Sequence, residues 1–129
     1  MKPTLLVLVY LSQEHRVLVS ERFELLYSPN EGLGNDRSNG QTQINLRGRD
    51  IRFVLTNGTN GLLPAEIDGM PNLKLICTLG VGFENVAVDY AKSRGIPVCN
   101  AAGTNHKAVA DHAMAILLAA IRRITFLNN

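Results

Sequence analysis

Five apolar runs of strand length recur along the sequence, at 5–11 (LLVLVYL), 23–27 (FELLY), 51–55 (IRFVL), 73–77 (LKLIC) and 96–99 (IPVC). They are apolar on both sides instead of alternating apolar with polar. A strand of that kind needs cover on both faces, which is the condition inside a parallel sheet. Between most of the runs the period is helical. "SQEHRVLVSERF" spaces Val17, Leu18 and Phe23 for a helix that Ser12 can N-cap. "LLPAEIDGM" begins a short helix at Pro64 and ends it near Gly69. "NVAVDYAKSRG" gathers Val86, Tyr90 and Ala91 on one face and stops at Gly95. Such alternation predicts an α/β fold, a parallel sheet of about five strands with helices on both faces. The stretch from Ser28 to Gln43, rich in Asn, Gly and Ser, reads as a long surface loop with a short helix near its end.

A chain of 129 residues is enough for one compact domain with a core of its own. Its charge is nearly balanced: 13 basic against 11 acidic side chains give a net +2, and no Lys/Arg block occurs. Nucleic acid is therefore not an expected partner. The apolar run at 5–11 has only Lys2 before it and no small-residue cleavage site after it, so it reads as a buried strand and not a signal peptide. No apolar run approaches the ~20 residues that span a bilayer, and no membrane partner is expected. Cys77 and Cys99 each close a strand-like run and read as buried free thiols of a cytoplasmic protein. No metal site is expected: His106 and His112 lie six apart on one helix, where ligand pairs want three or four, and His15 is remote. Arg122 and Arg123 suit the last turn of that helix, where cations complement the dipole.

That final segment differs in kind from the rest. From Asn105 to about Leu127 it reads as one long helix, capped by Thr104 or Asn105, and its centre "AMAILLAAI" is apolar on almost every side. An all-round apolar helix calls for burial on all sides. A five-stranded sheet covers one stripe only, so a homodimer through this helix is expected.

The motif of chemical interest is "TLGVGFENV", with Gly80 and Gly82 directly after a strand. A dinucleotide fingerprint needs G-x-G-x-x-G, and the third position here is Asn85. The acidic residue expected about 20 positions on is also missing, since that region reads "VCNAAG". A tight strand-to-helix turn alone explains both glycines. Between these readings stands a third: free N–H groups of Val81 and Gly82, aimed at the positive end of the next helix, suit one small anion such as a carboxylate. The turn "NGTNG" at 57–61 follows another strand and reaches the same crevice.

Over 71–124, "PNLKLICTLGVGFENVAVDYAKSRGIPVCNAAGTNHKAVADHAMAILLAAIRRI" closely resembles the NAD(P)-dependent D-isomer-specific 2-hydroxyacid dehydrogenases, nearest to their hydroxypyruvate/glyoxylate reductase branch. The spaced elements are Val81–Gly82 with Asn85, then Arg94–Gly95–Ile96 with Val98 and Asn100, then Val109–Ala110–Asp111, and Arg122–Arg123. Glu84 stands where the family usually has Asp. The similarity is strong from Leu55 to Ile124 and loose before it.

The resemblance implies a flavodoxin-like, substrate-holding domain over 1–103 and an interdomain helix over 104–129 that leads to a nucleotide-binding domain. It implies that Val81 and Gly82 hold the substrate carboxylate, that Gly58, Thr59 and Asn60 edge the acyl pocket, and that Val81 and Val109 touch the nicotinamide side of NAD or NADP. The partner is then a small 2-oxo or 2-hydroxy acid. Hydride would pass between the nicotinamide and C2. The family's catalytic Arg, Glu and His belong to the part beyond the long helix, so no residue of this chain is assigned a catalytic role and the chain alone is expected to be inactive. The alternative reading is a non-enzymatic flavodoxin-like module for binding or dimerisation.

Overall fold

A computed structural model describes residues 1–29 and 37–124. The elements run β1 (Thr4–Val7), α1 (Gln13–Ser20), β2 (Glu24–Tyr27), α2 (Ser38–Arg47), β3 (Ile51–Thr56), α3 (Pro64–Asp68), β4 (Leu75–Thr78), α4 (Val88–Ser93), β5 (Val98–Cys99) and α5 (His106–Ile121). The five strands form one parallel sheet in the order β2-β1-β3-β4-β5. That order is the flavodoxin-like winding, and it places the topological switch point between β1 and β3.

Side chains of successive strand residues point to opposite faces, so the runs split into two cores. Leu6, Leu8, Val54 and Ile76 point to one face and pack with Ile44, Leu62, Ile67, Met70, Val86 and Ala91 from α2, α3, α4 and their loops. Leu5, Val7, Val9 and Leu11 point to the other, where Val19, Phe23, Leu25, Tyr27, Phe53 and Leu55 join them. Phe23 and Phe53 meet there edge to face, ring centres 5.6 Å apart. The Ser12 hydroxyl accepts the His15 amide N–H as the expected N-cap of α1. Pro64 opens α3 and Gly69 closes it.

Three expectations need correction. First, the short helix expected near the end of the loop stretch is α2, which starts at Ser38 and runs past Gln43 to Arg47; residues 30–36 lie outside the described ones. Only Gly40 and Ile44 of α2 are buried, too few to print an apolar stripe on the sequence. Second, α5 ends at Ile121. Arg123 takes the left-handed φ of 53°, which breaks the ladder, so Arg122 and Arg123 follow the last turn instead of occupying it. Residues 125–129 lie outside the described ones. Third, Cys77 is only half-buried and Cys99 is exposed. Both are free, and they are register partners on β4 and β5. They share the face of Leu55, which among the described helices is covered by α1 alone, and α1 lies toward β1 and β2.

Burial still pushes the Cys77 thiol up, and the neighbouring Cys99 adds in the same direction. Less thiolate at Cys77 means slower alkylation. Limiting iodoacetamide at pH 8 is expected to label Cys99 several-fold faster than Cys77, read by peptide mass spectrometry. Equal rates would show that the sheet face is open around both.

Candidate functional site

The C-terminal ends of β3 and β4 carry the two loops that the motifs marked, residues 57–61 and 79–87. They are tied together. Asn85 Nδ2 donates to the carbonyls of Gly58 at 2.9 Å and Thr59 at 3.1 Å. The Asn85 amide also donates to the Gly58 carbonyl, at 3.3 Å. In return the Leu62 amide donates to the Asn85 carbonyl, at 3.1 Å. The residue that spoils the dinucleotide fingerprint is thus the one that fastens the two loops.

The first loop is held from below. Thr56 Oγ1, buried, donates to the Gly61 carbonyl at 2.8 Å, and the Asn60 amide donates to Asn57 Oδ1 at 2.7 Å. Asn60 Nδ2 reaches the Leu8 carbonyl at 2.8 Å, across the switch point to the end of β1. The Asn60 carbonyl accepts from Arg37 Nη1. Arg37 in turn grips Glu66 with two further nitrogens, Nε to Oε1 at 2.7 Å and Nη2 to Oε2. Glu66 Oε2 also accepts the Leu63 amide at 2.7 Å. Glu66 is buried, so this bidentate pair is a fixed strut under the turn. Sequence pattern alone could not find it: Arg37 and Glu66 are 29 positions apart, and neither belongs to a motif.

The second loop turns at Gly80, whose φ of +99° is open to glycine and strained for other residues. Gly82 needs no such φ; a Cβ there would lie 2.7 Å from Glu84 Oε2. Asn100 Nδ2 donates to the Val81 carbonyl at 2.9 Å, and the Ala101 amide to the Gly80 carbonyl at 2.8 Å. These bonds fix the carbonyls of the loop, while the amide N–H groups of Val81 and Gly82 donate to no acceptor among the described residues. The helix that was to lend them its positive end begins only at Val88, six residues beyond Gly82, with a β-bridge of Val86 to Leu62 between. The amide pair therefore stands on its own dipoles.

Gly58 is buried, Thr59 is exposed, and the Asn60 side chain is engaged within the fold. Val81 is 40% and Val109 58% exposed, the latter near the start of α5. His106 hydrogen-bonds the Gly103 carbonyl, His15 the Ser12 hydroxyl, and His112 is exposed. No group of three His, Cys, Asp or Glu able to hold a metal occurs among the described residues. No helix among them is long and apolar enough to cross a membrane.

Known proteins share both the sequence and this architecture. The chain is 50% identical over 54 residues to D-3-phosphoglycerate dehydrogenase of Mycobacterium tuberculosis, which covers 42% of the chain and 10% of that protein. A 2-hydroxyacid dehydrogenase of Ketogulonicigenium vulgare superposes over 99% of the chain and 38% of its own length, at 28% identity and a TM-score of 0.81. An NADPH-dependent glyoxylate/hydroxypyruvate reductase of Sinorhizobium meliloti, solved with NADP and malonate, matches 92% of the chain and 34% of itself, at 26% identity and a TM-score of 0.67. The chain thus spans well under half the length of these relatives. The model of the D-isomer specific 2-hydroxyacid dehydrogenase catalytic domain matches residues 7–126, and with that the five-stranded fold and its double-glycine loop place the chain in the D-isomer specific 2-hydroxyacid dehydrogenase family.

Proposed function

We propose that residues 1–103 bind the substrate of an NAD(P)-dependent D-2-hydroxyacid dehydrogenase, a small 2-oxo acid such as glyoxylate or hydroxypyruvate, in the cytoplasm. α5 (His106–Ile121) then serves as the interdomain helix. The observation that carries this reading is the unused amide pair of Val81 and Gly82, fixed by Asn100 and Asn85 at the end of β4. Two adjacent N–H donors match the two oxygens of one carboxylate.

The fit to the cofactor is partial. Asn85 fills the third fingerprint position with its own hydrogen bonds and no helix starts before Val88, so the pyrophosphate has no cradle in this loop. Val81 and Val109, both exposed and apolar, are suited to the nicotinamide ring. When bound, the nicotinamide supplies or accepts the hydride at C2. The work of this chain is to hold the acid by its carboxylate and to turn C2 toward that ring. The resemblance assigns the Arg, Glu and His of the reaction to no position among these 129 residues. Purified as these 129 residues, the chain is expected to give no NADH or NADPH oxidation with glyoxylate or hydroxypyruvate above a no-protein control.

Glycolate tests the site directly. Its titration is expected to shift the amide NMR signals of Val81 and Gly82 first, at millimolar strength, about −4 kcal/mol. Gly82→Val is expected to abolish the shifts while the signals of β1 and β2 stay in place. Shifts centred on His15 or Arg47 would refute the assignment.

A further inference from the structure

Cys77 and Cys99 stand side by side on neighbouring strands. They are register partners of β4 and β5 and project to the same face of the sheet. Adjacent strands run about 4.8 Å apart, inside the roughly 4.4–6.8 Å between Cα atoms that a disulfide spans. Thr78 Oγ1 donates to the Cys99 carbonyl at 3.4 Å, a further tie between the two strands. β5 has only two residues and lies at the edge of the sheet, bonded to β4 alone. A strand so short and one-sided can yield the fraction of an ångström that brings the two sulfurs into bonding range. Both thiols are free, Cys99 exposed and Cys77 half-buried, so an oxidant reaches the pair from solvent.

We propose that Cys77 and Cys99 are a modification site, a dithiol that a hydroperoxide closes into an intramolecular disulfide. The exposed Cys99 reacts first, because burial disfavours the thiolate at Cys77. Its thiolate attacks one peroxide oxygen and the O–O bond breaks. The sulfur becomes a sulfenic acid, and the other oxygen leaves as water or an alcohol, carrying the thiol proton. Cys77 then attacks that sulfur as thiolate. The S–S bond forms, the S–O bond breaks, and the hydroxyl leaves as water with the Cys77 proton. Two electrons pass from the sulfurs to the peroxide. In a reducing compartment such a bond is transient, and a small thiol reopens it. Closure also reaches the acid-binding loop. The Val81 and Gly80 carbonyls are held by Asn100 and Ala101, the two residues after Cys99. Drawing β5 toward β4 moves these supports, so oxidation weakens acid binding; this last step alone rests on the carboxylate reading of the loop.

The reduced chain, treated with stoichiometric hydrogen peroxide, is expected to lose two hydrogens in intact mass and to run as a single chain on a denaturing, non-reducing gel. Digestion is expected to release a Cys77–Cys99 cross-linked peptide, which dithiothreitol separates. Cys77→Ser is expected to stop at a sulfenic acid on Cys99 that dimedone traps, and Cys99→Ser to oxidise several-fold more slowly. In the oxidised wild type the Val81 and Gly82 amide signals are expected to shift and glycolate to bind several-fold more weakly. A sulfinic acid on Cys99 beside a free Cys77, or a disulfide formed only between two chains, overturns the proposal. An intramolecular disulfide that leaves the Val81 and Gly82 signals in place overturns the link to the loop and leaves the dithiol standing. If oxidation moves both amides while glycolate moves neither in either redox state, the carboxylate reading falls and the dithiol stands.

Discussion

Glu66→Ala is expected to destabilise the domain by about 3–5 kcal/mol, the cost of breaking a buried ion pair from one side. Three donors lose their acceptor at once: two guanidinium nitrogens of Arg37 and the Leu63 amide. The Arg37 side chain is only 21% exposed, so water does not fully replace the lost carboxylate. Against a total stability of 5–15 kcal/mol for a domain of ordinary size, the loss is large. At roughly 3–5 °C per kcal/mol for a chain of this length, the melting temperature is expected to fall by roughly 10–20 °C. Glu66→Gln keeps an oxygen for Leu63 and part of the fork, and it is expected to lose about half as much. Glu21→Ala, on the exposed end of α1, is the control, with a change within about 0.5 kcal/mol. Calorimetry of the three variants measures this. A fall of only a degree or two for Glu66→Ala would mean that the pair acts as a solvent-screened surface bridge. The variant also reaches the site: Arg37 carries the Asn60 carbonyl, so glycolate shifts at Val81 and Gly82 are expected to weaken even where the fold survives.

The sheet was legible because burial on both faces leaves an unbroken apolar run, and all five runs became strands. Caps were legible for the same local reason: Ser12, Pro64 and Gly69 act within a residue or two of their own position. The double-glycine loop was legible as a place and less so as a mechanism. Gly80 is explained by its own φ, but a Cβ on Gly82 would meet only the free end of the exposed Glu84 side chain; the close backbone approach is at Gly58, whose Cβ would meet the Gly82 backbone, a contact between loops that no spacing rule contains. Asn85 stood in the motif as a failed glycine, yet its bonds run to Gly58 and Thr59, 27 and 26 positions away. Arg37 and Glu66 lie further apart still and matter through one turn neither belongs to. The cysteines went wrong for a global reason. A strand end reads as buried only when the helix meant to cover it is present, and no described helix covers that face at β4 and β5.

The chain is expected to self-associate through α5, which has no buried residue along its 16 positions. Val109, Met114, Ile116, Leu117, Leu118 and Ile121 are each more than half exposed, from 51% at Leu117 to 66% at Ile121. Together they present apolar surface on the order of 500 Å² on a rod ~24 Å long, near the upper limit for a stable monomer surface. At ~25 cal/mol per Å², leaving it wet forfeits on the order of 10 kcal/mol. Pairing two such helices recovers much of that twice over, enough to exceed the ~4–15 kcal/mol cost of association. Light scattering at ~100 μM is expected to give twice the 14.1 kDa chain mass or more. Leu117→Glu with Ile121→Glu, one helical turn apart on a single face, is expected to return it to the monomer, because two charges at the contact must be desolvated without partners. Neither residue belongs to either core cluster, so the strands and the glycolate site are expected to be unchanged in the double variant. A wild-type monomer at that concentration, with α5 ordered by circular dichroism and NMR, would refute the argument: the exposed face would then be tolerated in water.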